Sequence, residues 1–146
     1  IEITSTWKDA PLLVDQTQGK HLVFAAADAA LACSGTVAME LAWAKVPTVI
    51  SYKMAWLSSL IGYMLLKVKY ASMINIIADR AIQPEFLQWR CKLETVVETI
   101  GPLLLDEQTR QAQLRELEDV TDRLKHPDKS PSQAAAQVVL NYLPRT

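Results

Sequence analysis

The tripeptide Ser34-Gly35-Thr36, inside the segment ALACSGTVAMELA, stands between an apolar run suited to a strand and a stretch suited to the start of a helix. A strand-turn-helix of this kind aims backbone N–H groups and the positive end of a helix dipole at one point. An anion, a phosphate above all, is stabilised there, and Gly35 lets it come close because no Cβ intervenes. Glu40 follows Thr36 by four residues. On a helix it stands one turn deeper on the same side, where its carboxylate reaches a sugar hydroxyl attached to that phosphate. The same spacing serves a plainer purpose equally well, with Ser34 or Thr36 capping the helix and Glu40 a solvated first-turn acid. Local spacing leaves both readings open.

Other residues with chemical potential have ordinary readings when taken singly. Asn75 is a turn former, and Arg80 with Glu85 is a surface ion pair of small worth. Asp28, ahead of an apolar run, reads as an exposed cap or strand-end residue. His21 lies on a helical pattern and His126 opens a linker, and neither has a partner nearby in sequence that would make it a general base. Trp43, Trp56 and Trp89 fall among apolar residues, as core or interface anchors do. Cys33 reads as a small buried hydrophobe. No acidic pair of the DxD kind lies in a loop by the phosphate turn, so no metal and no cofactor is called for.

The elements that must position these residues are constrained by composition. A chain of 146 residues, 50% hydrophobic, can bury one substantial core, so one domain is expected. Fifteen lysines and arginines nearly balance sixteen acids, which leaves no basic field to neutralise nucleic-acid phosphates, and a nucleic-acid partner is excluded. Cys33 and Cys91 are far apart without a CxxC, arguing against a disulfide scaffold or a zinc site and for a reducing compartment. The sequence opens at Ile1, and IEITSTWKDA has neither the basic nor the apolar region of a signal peptide. The native N-terminus is expected to lie elsewhere.

Short runs rich in Val, Ile and Leu alternate with helical patterns, the rhythm of βα units. Strands are expected at PLLV (11–14), Ala29 to Cys33, VPTVIS (46–51) and Tyr70 to Ile77. VPTVIS lacks alternation, as a parallel strand covered on both faces should. Helices are expected from Lys20 to Ala27, from Thr36 to Lys45, and at PEFLQ, where Pro84 suits a first turn. A further helix from Lys92 to Leu105 has Leu93, Val96, Val97, Ile100 and Leu104 on one face. Glu107 to Lys125 is charged with a thin stripe at Leu114, Leu117 and Leu124. After the linker HPDKSP, Ser132 to Leu143 forms a last helix with an Ala135, Ala136, Val139, Leu143 side. Met54 to Val68 is the most apolar stretch. It is shorter than the about 20 residues a membrane span needs, and reads as a helix packed on the sheet or resting in an anionic interface. The organisation expected is one domain over 1–146, with a Rossmann-like α/β portion at 1–105 and a helical tail at 106–146.

Two long segments in order, AAADAALACSGTVAMELAWAKVPTVISYK and VKYASMINIIADRAIQPEFLQ, are similar to the C-terminal domain of lipid A disaccharide synthases. These are bacterial GT-B glycosyltransferases with two Rossmann-like domains facing each other across a cleft. The resemblance implies that Ser34, Gly35 and Thr36 lie near the diphosphate of a UDP-sugar donor and that Glu40 engages its ribose. It also implies that Asn75, Arg80, Glu85 and Gln88 line the donor side of the cleft, and Tyr52 matches a recurrent tyrosine. Ile74-Asn75 replaces a frequent Pro-Asn, and Asp79-Arg80 a frequent Gly-Arg; Asp tolerates a left-handed backbone better than most residues. Leu57 stands where relatives can carry an aromatic.

The family's activity would make this chain the donor-binding half of a hexosyltransferase. It would take UDP-2,3-diacylglucosamine, transfer the sugar to lipid X and release UDP in lipid A biosynthesis, on the cytoplasmic side and peripheral to the inner membrane. The base and acceptor pocket would belong to an N-terminal domain outside this chain, and the last helix would cross to that domain or pair with a second copy. Another UDP-sugar GT-B enzyme or an epimerase would share the turn and Glu40 but not INxxxDR and PEFLQ. A noncatalytic α/β module with a protein-binding tail is the alternative from a different class.

Overall fold

Three short strands, β1 (Ala30–Ala32), β2 (Thr48–Tyr52) and β3 (Glu85–Leu87), pair in parallel in that order. Ala30 lies opposite Thr48 and Ala32 opposite Ile50, which also pairs with Glu85. In β2, the central strand, Thr48, Val49 and Ile50 are completely buried, as the unbroken apolar run required. This computed structural model describes residues 8–9, 11–14, 19–33, 35–53, 69–125 and 130–142. Ser34, the stretch from Met54 to Val68, His126 to Lys129 of the linker, and Leu143 lie outside the described residues.

Around the sheet run α1 (Lys20–Ala26), α2 (Thr36–Trp43), α3 (Met73–Ala78), α4 (Leu93–Leu105), α5 (Glu107–Leu124) and α6 (Pro131–Tyr142), with one 3-10 turn at Gln88–Arg90. The fold is α/β and Rossmann-like in its parallel sheet and flanking helices. Helix α2 stops on a left-handed residue, Lys45 at φ 58. Val46 N donates to Leu41 O at 2.9 Å and Lys45 N to Ala42 O at 3.0 Å, which uses up carbonyls the helix would leave bare. Pro47 then turns the chain into β2. Helix α3 ends by the same device, with Asp79 at φ 49 and Arg80 N bonded to Asn75 O. Asp79 thus takes the left-handed conformation expected of it.

The core joins helices across the sequence. Ala42 of α2, Ile74 of α3, Ile82, and Leu117 and Val120 of α5 form one buried cluster. Helix α5 therefore contributes to the main core, and Leu117, Val120 and Thr121 are its buried residues while Leu124 is exposed. Its Gln113 side chain accepts from Thr48 N at 2.9 Å and donates to Thr48 O at 3.2 Å and Ile82 O at 2.9 Å, closing the gap between the start of β2 and the segment before β3.

Four expected elements differ. PLLV forms no strand, and Leu12 is 88% exposed, because no described strand lies alongside to complete a ladder. The run Tyr70 to Ile77, read as a strand, holds helix α3, and PEFLQ, read as a helix, holds β3 and the following 3-10 turn. The cause is shared: Pro84 O accepts from Ile50 N at 2.8 Å, drawing Glu85–Leu87 onto β2, and this brings the Glu85 carboxylate to the N-terminus of α3. In α4 the spacing holds but the buried face is rotated. Val96 and Leu103 are buried, while Leu93, Val97 and Leu104 are exposed.

Candidate functional site

Parallel strands deliver their following loops to one edge, the usual place for a ligand in an α/β sheet. At the β1 end of that edge Gly35 is the N-cap of α2, with φ 133 and ψ −158. This is a backbone conformation essentially restricted to glycine. Among the described residues, a Cβ placed there would meet no heavy atom within 4 Å. The conformation therefore demands glycine, and the space before it is open. Thr36 is exposed, the first turn of α2 carries no acid, and Glu40 stands one turn below Thr36 on the same side. The Glu40 carboxylate receives the Lys20 ammonium on both oxygens, at 3.0 and 2.9 Å. Tyr52 closes β2 and is exposed.

Beside β3, before and at its first residue, the arrangement is built from side chains. Glu85 accepts from Ala71 N at 2.8 Å, Ser72 N at 2.7 Å and Asn75 Nδ2 at 2.7 Å. A carboxylate so placed offsets the positive end of the α3 dipole and satisfies amides that the short helix cannot. Asn75, 0% exposed, uses its full capacity. Its Nδ2 also donates to Gln83 O at 2.7 Å, and its Oδ1 accepts from Ile82 N at 2.8 Å and Gln83 N at 2.9 Å. Ser72 Oγ donates to Gln83 Oε1, and Gln83 Nε2 donates to Ala38 O of α2 at 3.3 Å.

Asn75 and Glu85 of this network also line a cleft of about 370 Å3, together with Lys69, Tyr70, Gln88, Trp89 and Arg90. The Lys69 ammonium lies 4.9 Å from the centre of the Tyr70 ring. The Tyr70 side chain as hydrogen-bond partner raises its pKa, keeping it cationic. Gln88 holds φ 54 at the start of the 3-10 turn. Two cations, two aromatic rings and an amide suit an anionic ligand with a planar or ring-shaped part.

The residues expected to act together are thus divided. Gly35, Thr36 and Glu40 gather at the head of α2, and Asn75, Glu85 and Gln88 at the β3 cleft. Ser34 lies outside the described residues. Arg80 joins neither group: its guanidinium is 3.7 Å from Glu116 and 3.5 Å from Asp119 of α5. Cys33, expected to be buried, is exposed, as is Leu31 two residues before it within β1. Trp89, read as a core or interface anchor, is 67% exposed on the cleft wall. Lys20, Ser72, Gln83 and Gln113 were not singled out by sequence. Each meets its partner across eleven or more residues, a separation no local pattern encodes. Among the described residues no three of His, Cys, Asp and Glu converge as metal ligands would, and no described helix is long and apolar enough to cross a membrane.

A parallel α/β sheet with a glycine-headed helix at its carboxyl edge is a domain of the Rossmann-like class. Residues 5–139 match the model of the lipid-A-disaccharide synthetase family, and the chain belongs to that family. It is 35% identical over 142 residues to a lipid-A-disaccharide synthase of Gluconobacter oxydans, covering 97% of this chain and 34% of that protein. To that of Paramagnetospirillum magneticum it is 37% identical over 135 residues, covering 91% and 35%. With that of Psychromonas ingrahamii it shares 44% over 96 residues, 66% of this chain and 25% of the relative. The chain spans about a third of the length of the first two relatives.

Proposed function

We propose that this chain binds the UDP-sugar donor, UDP-2,3-diacylglucosamine, in the synthesis of the lipid A disaccharide. The observation that carries this reading is the open turn at Gly35, with φ 133 and clear space before it, at the head of a helix whose first turn holds no acid. The amides and the dipole of α2 meet the diphosphate, and Glu40 accepts from the ribose hydroxyls one turn below. In the reaction the 6-hydroxyl oxygen of lipid X attacks the anomeric carbon with inversion, the bond from that carbon to the diphosphate oxygen breaks, and UDP departs. Stabilising the charge that develops on UDP is electrostatic work, done by prearranged donors without proton transfer. The reading assigns no metal or cofactor to this chain.

The base that takes the hydroxyl proton and the acceptor pocket belong, in this reading, to the remaining two-thirds of a full-length relative. The enzyme works at the cytoplasmic face of the inner membrane. Holding donor, acceptor and base together supplies roughly 7–11 kcal/mol of barrier reduction, so the chain alone binds UDP weakly and turns over no substrate. Isothermal titration with UDP tests the donor site. Glu40→Ala should lower affinity by about 1.5–3 kcal/mol, the worth of a charged hydrogen bond. Equal affinity of the two proteins would remove Glu40 from the site.

A further inference from the structure

Lys20 opens α1, a seven-residue helix with no buried residue, and yet its ammonium contacts both oxygens of Glu40 across twenty residues of chain. The two side chains are 32% and 39% exposed. Glu40 is the only charged residue of α2. Left alone, its carboxylate would stand one turn below the mouth of an anion site and oppose the helix dipole on which that site depends. A unit charge at such a distance in a partly screened environment is comparable in strength with the half-charge at a helix end.

We propose that Lys20 is a positioning residue of the nucleotide site, an inference that rests on the reading of Gly35 and Glu40 as diphosphate and ribose contacts. The ammonium cancels the carboxylate's charge, so the diphosphate meets the dipole of α2 without an anion behind it. It occupies one lone pair on each oxygen and fixes the carboxylate's orientation, and the remaining lone pairs accept the ribose hydroxyls. Lys20 therefore touches neither phosphate nor sugar and acts through Glu40.

A simple tether between α1 and α2 makes a different forecast. Loss of a tether disturbs every ligand of the site alike, whereas loss of a compensating charge penalises a phosphorylated ligand and does so only while Glu40 is ionised. UDP and uridine are titrated by NMR into the chain and its Lys20→Met, Lys20→Arg, Glu40→Gln and doubly substituted Lys20→Met/Glu40→Gln variants.

The proposal predicts that Lys20→Met weakens UDP about tenfold, the scale of one charge near the surface, and uridine less, since uridine loses only the orientation of Glu40 and not the charge compensation. Lys20→Arg restores UDP binding, and adding Lys20→Met to Glu40→Gln has little further effect. If Glu40→Gln weakens UDP but Lys20→Met leaves it unchanged, or weakens UDP and uridine equally in both backgrounds, Lys20 is a tether and the proposal fails while the nucleotide site stands. If the unsubstituted chain binds no UDP, the site itself is refuted and the proposal falls with it.

Discussion

At the β1 end of the sheet's carboxyl edge, backbone makes the candidate site: a glycine at φ 133, the head of α2 and open space. Beside β3, before and at its first residue, side chains fill the space, and Asn75, Glu85, Ser72 and Gln83 bond to one another and to six backbone groups around α3, β3 and α2. The first arrangement is a helix N-terminus, whose first amides have no partner within the helix and so can serve a ligand. The second consumes its polar groups internally and offers a ligand only the walls that it holds up. Two regions that resemblance would treat as one donor site thus differ in kind: the β1 turn is open, and the β3 corner is bonded internally. Gln83, reaching the Ala38 carbonyl of α2, is the strut between them.

That contrast predicts opposite responses to substitution. Asn75→Ala should have the largest effect, because it strands two amides and a carbonyl in the interior and takes one of three donors from the Glu85 carboxylate. A loss of about 3 kcal/mol or more in urea unfolding is expected from several unsatisfied buried groups. Glu85→Gln keeps the shape and one acceptor oxygen while losing the charge at the α3 N-terminus, so about 1–2 kcal/mol is expected in the same measurement. Glu40→Ala should change stability by only about 0.5 kcal/mol, as a partly exposed ion pair allows, while weakening UDP. If Glu40→Ala unfolds the chain and Asn75→Ala does not, the division of labour between the two ends is wrong.

The smallest effect concerns acid and lies away from both ends. Asp106 caps α5, accepting from the Thr109 hydroxyl and from the amides of Gln108 and Thr109 at 3.1 and 3.2 Å. The Thr109 hydroxyl, and then the Gln108 amide, hold its carboxyl below the ordinary range. A folded-state pKa below the unfolded value gives stability that is present above the unfolded pKa, about 3.9, and lost as pH falls toward the folded one. Asp106→Asn should therefore flatten the stability profile below about pH 4 and leave its slope near neutrality unchanged. Unfolding melts across that range would read it.

The parts of the fold legible in sequence are those whose cause is local. The bare apolar run of β2 and the glycine before α2 each act within a few residues. Helix α3 was misread because Ile74, Ile76 and Ile77 give a short β-branched run that fits a strand as well as a helix. The deciding group is the Glu85 carboxylate, thirteen and fourteen residues beyond the amides it receives. PEFLQ was misread for the same reason in reverse, since its partner is Ile50, thirty-five residues earlier in the chain. The helix start after Gly35 and the place of Glu40 one turn beyond Thr36 follow from local spacing. The confinement of Asn75 to internal bonds and the turning of Arg80 toward α5 depend on packing between distant segments.

The most direct test of the account is a UDP titration of the chain beside its Gly35→Val and Thr36→Ser variants, followed by NMR, with circular dichroism to verify the fold. Valine at φ 133 is strained and places a branched side chain in the open space before α2, whereas serine keeps the hydroxyl at the next residue. The account predicts that Gly35→Val loses UDP binding with the helical content intact and that Thr36→Ser binds as the unsubstituted chain does. A folded Gly35→Val variant that binds UDP with undiminished affinity would contradict it.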